Sequence, residues 1–85
     1  MDSVNLEVLR QSVAWLEAGE PVTLATVVKT WGSSPRPEGA LLAIAGDGRL
    51  VGSVSGGCIE DDLVDRLRTE RPTRPEAVSY GITAE

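Results

Sequence analysis

The chain has no histidine and a single cysteine among its 85 residues, and both shortages exclude chemistry. Without an imidazole there is no histidine acid or base. With one thiol, Cys58, there is no intrachain disulfide and no zinc or copper site assembled from one copy. No apolar run approaches the ~20 residues that span a bilayer. The opening residues 1–7 are acidic and lack the basic-then-apolar order of a secretory signal, so the chain reads as cytoplasmic. Positive charge is also scarce: eight Lys and Arg face thirteen Asp and Glu, for a net charge of −5. The arginines are scattered, which disfavours a nucleic-acid or anionic-membrane surface.

What is present is ordinary for a small globular protein: 41 % hydrophobic and 25 % charged residues, in a length that holds one core. A domain this short buries only about 60–65 % of the surface its unfolded chain exposes, so a partner or second copy covering an apolar face is a natural expectation.

Residues 4–18 carry Leu6, Leu9, Val13 and Leu16 at helical spacing, with Ser3 before them, Gly19 after them and Pro21 as a stop, which predicts a helix. Residues 22–30 are β-branched and almost uninterrupted, the pattern of a strand buried on both faces and central in its sheet. Pro35 and Pro37 make residues 31–39 a loop. Residues 40–45 and 49–54 flank Gly46-Asp47-Gly48, which predicts a hairpin. A second helix is expected over residues 59–70, where Ile59, Leu63 and Leu67 recur every four residues. Pro72 and Pro75 break it, and residues 77–82 read as a last strand. The resulting expectation is an α+β fold: a small mixed sheet of about four strands, one hairpin included, packed with two helices.

Three groups of residues could carry chemistry. Gly52-Ser53-Val54-Ser55-Gly56-Gly57-Cys58 lies at a strand-to-helix junction, where glycines permit a tight turn and free N–H groups can hold an anion or polar heterocycle. Cys58 there would feel the positive helix end, which favours a thiolate, against Glu60, Asp61 and Asp62, which oppose it. Taken alone, the junction is equally a tight turn around a buried cysteine acting as a small apolar residue. The loop Trp31-Gly32-Ser33-Ser34-Pro35-Arg36 offers a stacking ring, hydroxyls and a guanidinium suited to a phosphorylated heterocycle, or else a tryptophan that caps the core beside a local turn. The carboxylates Glu60, Asp61, Asp62 and Asp65 could attract Mg²⁺, but the pairs Asp62/Arg66 and Asp65/Arg68 mark a solvated helix face.

The run Ala25-Thr26-Val27-Val28-Lys29-Thr30-Trp31-Gly32-Ser33-Ser34-Pro35-Arg36-Pro37, followed by Gly52-Ser53-Val54-Ser55-Gly56-Gly57-Cys58-Ile59-Glu60, resembles the signature of the N-terminal domain of the XdhC/CoxI family. The resemblance implies a single domain over residues 1–85, without the Rossmann-like C-terminal domain of longer members. It also implies an accessory, chaperone-type role rather than an enzyme. Such a protein binds molybdenum cofactor, a phosphorylated molybdopterin, and helps deliver it to a molybdenum hydroxylase such as xanthine or CO dehydrogenase. By matching position the binding role falls to Ser55, Gly56, Gly57 and Cys58, with Cys58 as a contact for molybdenum, and to Ser33, Ser34 and Arg36. The alternative is a docking or dimerisation domain whose loops are structural. A thiol redox enzyme is disfavoured, because Cys58 has no resolving cysteine.

Overall fold

The computed structural model describes residues 3–30, 36–54, 58–70, 72 and 74–78. In chain order the elements are α1 (Ser3–Glu17), β1 (Val22–Thr26), β2 (Leu41–Ala45), β3 (Leu50–Gly52) and α2 (Cys58–Thr69). The strands form one antiparallel sheet in the order β1-β2-β3. The α+β class with two helices and one hairpin is as expected. The fourth strand expected over 77–82 falls largely outside the described residues.

Helix α1 ends where Gly19 adopts φ +84°, a conformation that L side chains resist. The Gly19 N–H donates to the Leu16 carbonyl at 3.0 Å and the Glu20 N–H to the Trp15 carbonyl at 2.9 Å. This pairing satisfies carbonyls that a helix end otherwise leaves open. The residues that set the helical period are not the ones that meet the sheet. Val8, Ser12 and Trp15 are buried, whereas Leu6, Val13 and Leu16 are 40 %, 53 % and 58 % exposed. Ser12 is tolerated inside because its hydroxyl donates to the Val8 carbonyl at 2.8 Å.

The core is built on β2. Ala43 and Ala45 pack with Val8 and Trp15, and Val22, Leu41 and Val51 close around them. Strand alternation turns Leu42 and Ile44 to the opposite face, where they too are buried. There Ile44 borders a shallow depression together with Val64 and Leu67 of α2. Burial on both faces explains why residues 40–45 contain no polar side chain.

One expectation is overturned here. Among the described residues the strand beginning at Val22 is not central: β1 lies at the end of the strand order and stops at Thr26. Leu24 is 50 % exposed and Val28 76 %. The reason is topological. The tight turn over 46–49 folds β3 onto one side of β2, and the longer connection over 27–40 lays β1 on the other, so β2 is enclosed whichever segment is richer in β-branched residues. Such residues report fitness for a pleated backbone rather than burial.

The hairpin between β2 and β3 closes through the Gly48 N–H on the Ala45 carbonyl at 3.0 Å and the Ala45 N–H on the Arg49 carbonyl at 2.9 Å. Arg49 then ties this turn to the end of α1. Its guanidinium lies 5.3 Å from the Trp15 ring centroid and pairs with Glu20 and Asp47. The Arg49 backbone N–H, aided by its guanidinium, holds the Asp47 carboxyl below its usual range.

At the other end of β2, Asn5 of α1 supplies what the short β3 cannot. Its Oδ1 accepts the Leu41 N–H at 3.0 Å and its Nδ2 donates to the Gly39 carbonyl at 3.1 Å. Asn5→Ala leaves the part-buried Leu41 donor without this partner. Stability is expected to fall by about 1–3 kcal/mol, read as a lower urea midpoint at unchanged slope. An unchanged midpoint would show that water replaces the amide at no cost. Among the described residues, no helix is long and apolar enough to cross a membrane.

Candidate functional site

The junction between β3 and α2 begins at Gly52, whose φ of +92° turns the chain out of the sheet. An added Cβ there would stand 2.3 Å from the Leu41 carbonyl oxygen and 2.4 Å from Val8 Cγ2. The absent side chain is therefore required by the packing of β3 against β2 and α1. The next residue is held by each of its polar groups. The Ser53 N–H donates to the Leu41 carbonyl at 3.1 Å, its carbonyl accepts from Arg36 Nε at 3.2 Å, and its hydroxyl donates to Glu60 Oε2 at 2.9 Å. The same carboxylate oxygen accepts the Val54 N–H at 2.8 Å.

Glu60 is the third residue of α2 and only 5 % exposed. A carboxylate so placed loses its water and is tolerable only when fully hydrogen-bonded. Ser53 and Val54 supply donors, and the positive end of the α2 dipole adds to them. This corrects the expectation of a uniformly solvated acidic face. Asp61, Asp62 and Asp65 are not buried as Glu60 is, and Arg66–Asp62 at 3.0 Å and Arg68–Asp65 at 3.6 Å form the surface pairs foreseen; Glu60 points inward instead. Its third position in the helix is the sequence signal that could have revealed it, because a glutamate there commonly reaches back to N–H groups ahead of the helix.

Of the residues given a binding role from sequence, Arg36 lies among those described. Its Nε spans 17 residues of sequence to reach Ser53, and its Nη2 is sealed from solvent. The end of the first loop thus adjoins the start of the second. Cys58 opens α2, and its side chain lies outside the described set. Ser33, Ser34, Ser55, Gly56 and Gly57 also lie outside the described residues. Among those described, no three His, Cys, Asp or Glu side chains group to hold a metal ion.

These features define a small α+β domain in which a strand-to-helix junction is pinned to a second, proline-bearing loop. The chain belongs to the XdhC and CoxI family, whose model matches residues 15–81. It is 43 % identical over 75 residues to the molybdenum cofactor insertion chaperone PaoD of Escherichia coli (strain K12), covering 87 % of this chain and 24 % of that protein. It is also 43 % identical over 54 residues to a probable xanthine dehydrogenase subunit of Bacillus subtilis (strain 168), covering 64 % of this chain and 16 % of that one. The chain therefore spans a quarter or less of the length of these curated relatives.

Proposed function

We infer that this domain serves a cytoplasmic accessory protein that takes molybdenum cofactor as cargo and passes it to a molybdenum hydroxylase of the xanthine or CO dehydrogenase kind. Family membership and the relative named as an insertion chaperone support the reading. The observation that carries it is the Arg36–Ser53 hydrogen bond, which sets the flanks of both candidate loops against one another. Cargo contact is assigned to residues 55–57 and Cys58, with Ser33 and Ser34 contributing from the first loop. Their hydroxyls and backbone N–H groups are donors suited to a phosphorylated pterin, and a thiol is a soft ligand suited to its metal. Arg36 supports the site through its grip on Ser53.

A second reading, docking onto a hydroxylase or a second copy, is favoured by the exposed flank of α1 carrying Leu6, Val13 and Leu16. One experiment separates the two. The 85-residue chain is titrated with purified molybdenum cofactor, and its self-association is followed by sedimentation. The cargo reading expects saturable binding, weakened about tenfold or more in Cys58→Ser, a loss of about 1.4 kcal/mol, and indifferent to Leu16→Asp. The docking reading expects no cofactor binding and an association that Leu16→Asp abolishes. Absence of saturable binding by the unmodified chain removes the cargo role.

A further inference from the structure

We propose that Arg36, Ser53 and Glu60 act as a single positioning clamp that sets the backbone entering residues 55–57, so that Arg36 and Glu60 serve the cargo site without touching cargo. The inference rests on the cargo reading for its functional consequence, but its structural content stands apart from it.

Three observations carry it. First, Glu60 bridges the junction: one carboxylate oxygen on the first turn of α2 accepts both the Ser53 hydroxyl and the Val54 N–H, fixing the last described residues before the segment to the helix that follows it. Second, the arrangement keeps a carboxylate only 5 % exposed on a helix whose next acidic residues, Asp61 and Asp62, are not buried. Burial of a charge is costly, and hydrophobic packing of similar volume stabilises a fold at least as well as a buried ionic group. At the third position of this helix, however, a glutamate answers the Ser53 and Val54 donors, which an apolar side chain of similar volume would leave open, so its place is set by the junction it bridges. Third, Arg36 approaches the same residue from the other side, its Nε on the Ser53 carbonyl. A guanidinium and a carboxylate thus flank one serine, the first brought by the proline-bearing loop and the second by α2. Any shift of the first loop is transmitted to Ser53 through Arg36, and Glu60 relays the position of Ser53 to the start of α2.

The clamp predicts a specific pattern in the amide spectrum of the unliganded 85-residue chain. Glu60→Ala and Arg36→Met are expected to move the same resonances, those of Ser53 through Cys58, while the amides of Ala43 and Ala45 in the core stay in place. Because a single oxygen takes both hydrogen bonds, the amide oxygen of Glu60→Gln is expected to restore much of the pattern. Cofactor titration is then expected to weaken about tenfold or more in the Ala and Met variants and to recover in Gln. The clamp is overturned if Arg36→Met shifts only residues near Arg36 and leaves 53–58 unmoved. It is also overturned if Glu60→Ala leaves that segment unmoved, or if the segment moves while cofactor affinity stays at the unmodified level. Shared movement of 53–58 in a protein whose unmodified form binds no cofactor keeps the clamp and discards the cargo reading.

Discussion

Gly52→Ala is expected to lower stability by about 2–6 kcal/mol, the largest effect of any single substitution considered for this chain. Two costs combine. The backbone sits at φ +92°, where an L side chain costs of order 1–3 kcal/mol. The new Cβ also meets the Leu41 carbonyl oxygen at 2.3 Å and Val8 Cγ2 at 2.4 Å, distances at which backbone or helix must shift, for about 1–3 kcal/mol more. A domain of this length has a total stability of about 4–13 kcal/mol, so the sum is a large fraction of it. Gly19→Ala is the control. Its φ is +84°, but nothing lies within 4 Å of the added carbon, so only the backbone cost applies, about 1 kcal/mol. Urea unfolding followed by circular dichroism reads both. Equal midpoints for the two variants would mean that β3 does not approach Leu41 and Val8 as closely as described.

That pair also shows what a sequence can and cannot disclose. The glycines of Gly52-Ser53-Val54-Ser55-Gly56-Gly57 invite the reading that the backbone needs room for a ligand. At Gly52 the room is needed by Leu41 and Val8, both far earlier in the chain, and no local pattern records such an approach. Elements governed by neighbours in sequence were legible. Gly19 stops α1, Gly46-Asp47-Gly48 turns the hairpin, and the Asp62/Arg66 and Asp65/Arg68 pairs lie on the surface. Glu60 was not distinguishable from Asp61 by composition. What separates them is that Ser53 and Val54 point two donors at one carboxylate, a fact created by the turn at Gly52. Family kinship was legible because the two loop motifs are distinctive. The particular contact between them, Arg36 on the Ser53 carbonyl, was not, since no local pattern in either loop names its partner in the other.

Leu42→Ala and Leu24→Ala make the same chemical change on adjacent strands and are expected to differ several-fold in cost. Leu42 is fully buried in β2, whereas Leu24 is half exposed in β1. Cutting the side chain back to Cβ in a closed site costs the lost transfer energy and leaves a cavity, together about 2–5 kcal/mol. At Leu24 water fills the space, and about 1 kcal/mol or less is expected in proportion to the area already exposed. The comparison tests the order of the strands, because a β-branched segment beginning at Val22 in the middle of the sheet would reverse it. It bears on the site as well. Leu42 pairs in register with Gly52, and the neighbouring Leu41 carbonyl receives the Ser53 N–H, so the junction hangs directly from β2. In Leu42→Ala the amides of Ser53 and Val54 should therefore lose hydrogen-exchange protection together with those of Ala43 and Ile44, as one cooperative unit. In Leu24→Ala they should keep it. Protection of Ser53 that survives while Ala43 exchanges freely would place the stability of the junction in α2 rather than in the sheet.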